Sequence, residues 1–94
     1  MSSEELKTTG KEAVKLIQGL SSITNFKILQ LLSKEDLDVS TIAKKMKLSE
    51  AHISGEIRRL IDLHLVKVTY KPGKRGIRKV CMLAVKRISI VIKP

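Results

Sequence analysis

Hydrophobic side chains in this 94-residue chain change their spacing once, near Val66. Before that point apolar residues recur every three or four positions, which is typical of helices with one buried face. After it they alternate with polar residues, which is typical of strands. An apolar content of 43% is that of an ordinary globular domain, and 94 residues leave no room for a second domain of normal size. The sequence therefore predicts one α+β domain over residues 1–94, with its helices first and its strands last.

The first two helices are expected in the first third of the chain. One is predicted over about residues 3–20, where Ser2 and Glu5 have the spacing of a capping box. The next follows a polar break at residues 21–25, and its density of apolar side chains predicts a central core element in which Phe26 is buried. The apolar stripe of the first helix consists of Leu6, Gly10, Ala13, Val14, Ile17 and Leu20.

The third and fourth helices are expected close together. Ser40 is the predicted N-cap of the third helix, and Ser49 is that of the fourth, which extends to about His64. A short turn ending at Ser49 separates them, so residues 40–64 have the pattern of a helix-turn-helix. The inward face of the fourth helix is formed by Ile53, Ile57, Leu60 and Ile61.

Residues 66–83 have the pattern of a β-hairpin. Two extended runs flank Pro72-Gly73-Lys74-Arg75-Gly76, which supplies turn residues and places two cations at the tip. A last strand is predicted over residues 88–92, and it can pair either with the hairpin or with a second subunit. The predicted fold is a winged helix-turn-helix: four helices followed by a β-hairpin wing and a short C-terminal strand.

A helix-turn-helix followed by a basic hairpin has a shape that fits duplex DNA. The major groove is about 12 Å wide and admits one helix, whose outward side chains then meet base edges. Small residues such as Ser54 and Gly55 let the helix backbone approach the groove floor, and Arg58 can pair with guanine or hold phosphate. The sequence of the fourth helix alone is equally consistent with an ordinary solvent-exposed helix face that binds no DNA. The basic hairpin favours the DNA interpretation, because a wing can hold phosphates or reach the adjacent minor groove.

The predicted DNA-binding residues fall into three groups. In the recognition helix they are Ser49, Glu50, Ala51, His52, Ser54, Gly55, Arg58 and Arg59. In the third helix and the turn they are Thr41, Lys44, Lys45 and Lys47. In the wing they are Lys71, Lys74, Arg75 and Arg78.

The formal charge of +10 is distributed unevenly along the chain. Residues 1–43 carry a net charge of −1, whereas residues 44–94 carry +11. This excess predicts a polyanionic partner for the second half of the chain. Phe26 and Tyr70 are the only aromatic residues, too few for a stacking platform on single strands, so double-stranded DNA is the expected partner.

No catalytic or cofactor site is predicted. The sequence has neither a glycine-rich phosphate loop nor a cluster of histidine and cysteine. Cys81 is the single cysteine, and its place in a strand favours a core role over a redox or metal role. His52 and His64 are too sparse a pair to predict a metal centre. No apolar run reaches the roughly 18 residues that cross a bilayer, and the first residues are acidic, so a cytoplasmic, nucleoid-associated protein is expected.

Four stretches of the chain resemble the ArsR-like winged-helix transcription regulators, particularly their small archaeal members. The opening segment of that family is similar to residues 20–32 (LSSITNFKILQLL), and the first helix and turn of its helix-turn-helix to residues 42–49 (IAKKMKLS). Its recognition helix is similar to residues 53–60 (ISGEIRRL), and the start of its wing to residues 65–68 (LVKV). The resemblance covers about residues 12–92 and implies a dimeric DNA-binding transcription regulator.

The chain departs from the family pattern at two places. Many members have glycine in the turn where this chain has Lys47, and a non-glycine residue in a left-handed conformation costs about 1 kcal/mol, so a differently shaped turn is expected. The metal-sensing members carry a cysteine pair in the third helix, and residues 39–43 contain no cysteine. Metal sensing of the family type is therefore not expected.

The first predicted helix is also the expected dimer interface, because it has an apolar stripe and almost no basic excess. The residues assigned to the interface are Leu6, Ala13, Val14 and Ile17. The alternative is that this helix closes the core of the monomer. Two other functions use the same surfaces: a sequence-blind architectural or chromatin DNA-binding protein, and a winged helix that binds other proteins.

Overall fold

The computed structural model describes residues 4–93. In chain order its elements are β1 (Glu5–Thr9), α1 (Gly10–Gly19), α2 (Ile23–Leu32), β2 (Leu37–Asp38), α3 (Val39–Met46), α4 (Glu50–Asp62), β3 (Val66–Gly73), β4 (Gly76–Leu83) and β5 (Arg87–Val91). Helices α3 and α4 form a helix-turn-helix, and the β3–β4 hairpin follows it directly. The predicted α+β winged helix-turn-helix is confirmed, with β1 and β2 as strands that were not predicted.

The core lies where α2, α3 and α4 meet the base of the hairpin. Periodicity predicted the buried face of α4 correctly, and Cys81 of β4 is fully buried in the same cluster. The prediction for Phe26 was wrong: its ring is 51% exposed, because Asn25 and Ile28 occupy the inward face of α2 instead. The core cluster consists of Leu16, Ile28, Leu32, Leu37, Ile42, Ala43, Ile53, Ile57, Leu60, Leu65, Val66 and Cys81.

Three antiparallel strands form the main sheet, in the order β2-β4-β3. The hairpin pairs Val66 with Leu83 at its base and Gly73 with Gly76 at its tip. On the other side of β4, the two residues of β2 pair with Cys81 and Val80. Because β2 immediately precedes α3, this pairing fixes the helix-turn-helix against the wing.

The prediction of one helix over residues 3–20 was wrong at its N-terminal part. Residues 5–9 form β1, which pairs in parallel with β5, and α1 begins only at Gly10, whose φ of 60° is incompatible with continuing a helix backward. The β-branched Thr8 and Thr9 before it favour an extended chain. Glu5 lies in the strand, so it does not cap a helix, and Ser2 lies outside the described residues.

The last strand was predicted over residues 88–92, with the hairpin or a second subunit as its neighbour. In the structure β5 spans Arg87–Val91 and pairs with β1, with Glu5 opposite Arg87 and Thr9 opposite Val91. Because the two paired segments lie far apart in sequence, neither contains a local pattern that predicts the other as its partner. The pair forms a second sheet of two strands that packs against α1.

The helix-turn-helix boundaries are fixed by specific hydrogen bonds. The predicted cap of α3 at Ser40 was wrong: Asp38 is the N-cap and accepts from the Thr41 N–H at 2.8 Å. The cap of α4 at Ser49 is confirmed, since its hydroxyl accepts from the His52 N–H at 3.0 Å. Aspartate and serine are equally good N-caps, so local preference alone did not identify the first boundary.

The turn between α3 and α4 has the usual glycine-type closure without a glycine. Lys47 adopts the left-handed conformation (φ 57°, ψ 44°), its N–H donates to Lys44, and the N–H of Leu48 donates to Ala43 at 3.1 Å. The expectation of a differently shaped turn was therefore wrong. His64 ends α4 in the same manner, with φ 64° and the following N–H donating back to the last turn.

Candidate nucleic-acid interface

The outward face of α4 is fully accessible. Burial of Ile53, Ile57 and Leu60 against the core turns the opposite side of the helix to solvent. The eight predicted recognition-helix residues are all exposed: Ser49, Glu50, Ala51, His52, Ser54, Gly55, Arg58 and Arg59. The Ser49 hydroxyl accepts the cap hydrogen bond, which orients the first turn of the helix.

Gly55 lies in the middle of this face, and the domain itself does not require a glycine there. A Cβ atom built on Gly55 meets no atom within 4 Å, and its φ is not positive. Glycine inside a helix costs roughly 0.5–1 kcal/mol relative to alanine. The chain thus carries a destabilising residue at the centre of its exposed helix face without any benefit to its own packing.

The two arginines of α4 differ in their surroundings. Arg59 lies 3.6 Å from a carboxylate oxygen of Glu56 on the same helix. Among residues 4–93, no ion pair involves Arg58, whose guanidinium is exposed on the same face as Ser54 and Gly55. Arg58 is therefore free to bind an external acceptor.

The wing extends two strands beyond the core and ends in Lys74 and Arg75, which lie between the paired Gly73 and Gly76. Gly76 has φ 114°, a conformation that only glycine adopts readily. The sequence interpretation missed the apolar part of this surface. Tyr70 is 65% exposed and Ile77 is 78% exposed, on the face of the wing that continues outward from the core. Their alternation with lysine was visible in the sequence, but it did not show where the core ends.

The wing and α3 are joined at Asp38. One carboxylate oxygen caps α3, and the other lies 3.2 Å from the Arg78 guanidinium on β4. The hydroxyl and N–H of Thr41 hold the pKa of Asp38 below its usual range, and the charge of Arg78 lowers it further. Arg78 thus takes part in an ion pair that stabilises the fold, in addition to any contact with a ligand.

Three of the predicted DNA-binding residues meet around one open cleft of about 700 Å³ between α3 and the wing. Thr41 lines one wall, and Lys74 and Arg78 line the other, with Asp38 at the junction. The structure therefore brings Thr41 of the α3 group together with Lys74 and Arg78 of the wing group. The cleft lies on the outside of the domain, where a phosphate backbone is the kind of anion that two exposed cations can hold.

Lys45 does not line this cleft. It lines an open groove between α2 and α3, together with Lys27 and Lys34 of the α2 region and an apolar floor that includes Leu31 and Leu48. Lys44 and Lys47 are exposed. Lys27 and Lys34 are cations that the sequence interpretation did not assign.

The four predicted interface residues separate into two pairs. Leu6 packs against the core and Ala13 is buried, because α1 covers the core of its own monomer. The structure places these two side chains against the monomer core, and their assignment to a dimer interface stays a prediction. Val14 is 54% exposed and Ile17 is 55% exposed, so the outer side of α1 keeps an apolar surface.

Cys81 is fully buried, and burial raises the pKa of its thiol above the ordinary value. No group of three or more histidine, cysteine, aspartate or glutamate side chains within residues 4–93 is arranged to hold a metal ion. None of the helices in this part of the chain has the length and apolar character needed to cross a membrane.

No protein-family model matches the chain, and no curated protein matches it in sequence. Solved structures do match. Reduced HlyU from Vibrio cholerae has 22% identity and a TM-score of 0.66, over 78% of this chain and 73% of HlyU. Mb0332 from Mycobacterium bovis has 20% identity and a TM-score of 0.67, over 78% of this chain and 64% of that fragment. It is described as a homodimeric winged helix-turn-helix DNA-binding domain of a possible ArsR-family transcriptional regulator.

A PadR family transcription regulator from Clostridium difficile has 25% identity and a TM-score of 0.60, over 66% of this chain and 72% of the regulator. These similarities agree with the order of elements and with the helix-turn-helix and wing described above. They show the winged helix-turn-helix fold.

Proposed function

We propose that this chain is a sequence-specific, double-stranded DNA-binding transcription regulator of the ArsR-like type that acts as a homodimer at the nucleoid. In this proposal α4 lies in the major groove, and the wing holds the backbone or the adjacent minor groove. Three lines of support combine: the exposed α4 face, the concentration of positive charge in residues 44–94, and the similarity to winged-helix regulators.

The observation that carries the proposal is the open space beside Gly55. A helix that only needed to face solvent would be more stable with alanine there. A helix that enters the major groove benefits from glycine, because the backbone can approach base edges more closely. We expect Gly55→Ala to raise the free energy of unfolding by roughly 0.5–1 kcal/mol while weakening DNA binding. An unchanged affinity in a stabilised variant would argue against groove entry by α4.

Base reading is assigned to Arg58 and phosphate binding to Lys74. A bidentate contact from arginine to guanine is worth about 1–3 kcal/mol of discrimination between bases. Arg58→Ala is therefore expected to change sequence preference, whereas Lys74→Ala is expected to weaken all sequences alike and reduce the salt slope by about one.

The test uses duplexes selected from a random pool, together with a random duplex, titrated across salt concentrations. Lys11→Ala serves as the matched control, because Lys11 is exposed on α1, away from the wing and α4. It removes the same charge and is expected to leave the affinity nearly unchanged. A uniform loss of affinity in Arg58→Ala would contradict the base-reading assignment.

A second candidate is a sequence-blind architectural DNA-binding protein, and the exposed apolar residues of the wing favour it. Architectural proteins insert apolar side chains between base steps in the minor groove and bend the duplex. Tyr70 and Ile77 are available for this contact. Equal affinity for the selected and random duplexes would favour this function, and absence of binding at low salt would leave a protein-binding winged helix.

The homodimer is supported by the exposed Val14 and Ile17 on α1 and by the homodimeric state described for Mb0332. A two-fold dimer places its two recognition helices about one turn of DNA apart, so the expected target is a pseudo-palindrome. Sedimentation of the chain at micromolar concentration tests this part separately, and a monomer there would contradict it.

A further inference from the structure

The sheet of β1 and β5 contains two strands, whereas most protein sheets contain more. Within residues 4–93, each of these strands has one hydrogen-bonded neighbour, and β5 pairs only with β1. A two-stranded pair is marginally stable in water, and parallel pairing is slightly weaker per residue than antiparallel pairing. The second edge of β5 presents backbone donors and acceptors that another strand can pair with.

The two free edges of this sheet differ in character. β1 carries the charged Lys7 at its centre, and a lysine on an edge strand discourages pairing with another chain. β5 instead continues into an apolar end: Ile90 is 43% exposed, and Ile92, just beyond the strand, is 93% exposed. The edge of β5 is therefore the one suited to bind a further strand.

Of the two positive charges at the start of β5, that of Lys86 is paired within the same sheet. The ammonium group of Lys86 lies 3.8 Å from a Glu4 carboxylate oxygen, and Arg87 is opposite Glu5 in the parallel register. If two copies of β5 pair antiparallel, their basic segments lie at opposite ends of the pair and do not face each other.

We infer that the second strand is β5 of another copy of this chain, paired antiparallel about a two-fold axis through Ser89. This inference rests on the dimer of the proposed function and specifies how it forms. The result is a four-stranded sheet in the order β1-β5-β5-β1, in which the free backbone edge of β5 is covered in both copies. Each copy contributes the same strand, β5, to the interface, as a two-fold (isologous) interface requires.

The register follows from strand length, side-chain faces and charge. An axis at Ser89 pairs all five residues of β5, and it places Ile88 opposite the partner's Ile90, so that the apolar face is continuous. An axis at Ile90 pairs only three strand residues and places Arg87 opposite the partner's Lys93, where like charges destabilise the pair. An axis between two residues would place Ser89 opposite Ile88 or Ile90 and interrupt the apolar face, whereas the axis at Ser89 keeps that face and places Arg87 opposite Val91 on the other one.

Cysteine cross-linking tests this register in the full chain. Residues directly opposite in an antiparallel pair have Cβ atoms about 4.5–5.5 Å apart, close to disulfide geometry. Under mild oxidation, Ser89→Cys is expected to form a covalent dimer rapidly. Ile90→Cys is expected to cross-link more slowly, and Ile77→Cys, exposed on the distant wing, gives the collisional background. The native Cys81 is buried and does not contribute.

A second variant tests the energetics of the same edge. Ile90→Lys puts a charge on the apolar face of β5. The substitution is present in both copies of the dimer, so a tenfold loss from each copy multiplies to an increase of at least about 100-fold in the dimer dissociation constant. Ile77→Lys introduces the same change on the wing and is expected to leave sedimentation unchanged. Circular dichroism of Ile90→Lys verifies that the monomer remains folded.

The outcomes separate the two proposals. A dimer in sedimentation in which Ser89→Cys cross-links no faster than Ile77→Cys would overturn pairing through β5 and leave the dimer standing. Faster cross-linking of Ile90→Cys than Ser89→Cys would overturn the register. A monomer at micromolar concentration would overturn both the β5 pairing and the dimer, while DNA binding by α4 is decided separately by Arg58→Ala and Gly55→Ala.

Discussion

Asp38 joins the two parts of the proposed DNA-binding surface, and its replacement has effects that can be separated. Its side chain caps α3 by accepting from the Thr41 N–H and forms an ion pair with Arg78 on the wing. Asp38→Ala removes both interactions. Asp38→Asn retains a good N-cap and removes only the ion pair, because asparagine and aspartate cap helices equally well.

The magnitudes follow from the two interactions. Loss of an N-cap costs about 1 kcal/mol. An ion pair whose Arg78 partner is half exposed contributes about 0.2–1 kcal/mol. We therefore expect Asp38→Ala to lower the free energy of unfolding by about 1–2 kcal/mol and Asp38→Asn by less than about 1 kcal/mol. For a domain of this size, each kilocalorie corresponds to about 4–8 °C in melting temperature.

The effect of Asp38 also depends on pH. Its pKa is lowered in the folded chain, so its contribution is fully present above the ordinary aspartate pKa of about 3.9. That contribution is lost as the pH falls through the lower folded pKa. The difference in stability between the original chain and Asp38→Asn should therefore be larger at pH 7 than in strong acid.

Urea unfolding followed by circular dichroism, at neutral pH and across the acid range, measures these differences directly. Arg78→Ala is the matched variant, because it removes the same ion pair and leaves the cap intact. It should resemble Asp38→Asn. The reasoning is refuted if Asp38→Asn is as unstable as Asp38→Ala, or if Asp38→Ala unfolds at the same urea concentration as the original chain.

Three further predictions concern the interior and the turns. The thiol of Cys81 should react slowly with a thiol reagent near neutral pH in the native chain and rapidly in urea, since its pKa is raised by burial; fast native reaction would contradict this. Lys47→Gly should raise the free energy of unfolding by up to about 1 kcal/mol, because Lys47 is left-handed, and should also weaken DNA binding, because a cation is lost. His64→Gly, at the other left-handed position, should raise the free energy of unfolding in the same assay and leave DNA binding unchanged. Asn25→Ala should cost about 1–3 kcal/mol in urea unfolding, because the buried side-chain amide donates to the Gly19 carbonyl at 2.6 Å; an unchanged midpoint would show that this hydrogen bond is dispensable.

The parts of the fold that were predictable are those whose signal is local. The buried face of α4 repeats at helical spacing, its cap at Ser49 lies directly before it, and the hairpin has alternating strands around a glycine-containing turn. These elements specify the helix-turn-helix and the wing almost completely. The DNA-binding roles of their exposed residues remain predictions, since exposure alone does not identify what a side chain binds.

The errors arose where a pattern fits two structures. Leu6 and Gly10 continue the helical spacing of α1, but the same Leu6 packs equally well from a strand, and its pairing with Ile88 depends on a segment 82 residues away. Phe26 was assigned to the core by hydrophobicity, although the inward position next to it is filled by Asn25, which satisfies a backbone carbonyl. Pairing between distant strands and buried polar contacts depend on how the whole chain packs, so no local sequence pattern predicts them.

The pairing of β1 with β5 also affects the order in which the chain folds during synthesis. Translation proceeds at about 5–20 residues per second, so β1 is synthesised roughly 4–16 s before residue 87 is added. During this interval β1 has no strand partner. Contacts between segments so distant in sequence also slow folding of the released chain. Lys7 of β1 is then protective, because a charged side chain discourages the unpaired strand from pairing with another nascent chain.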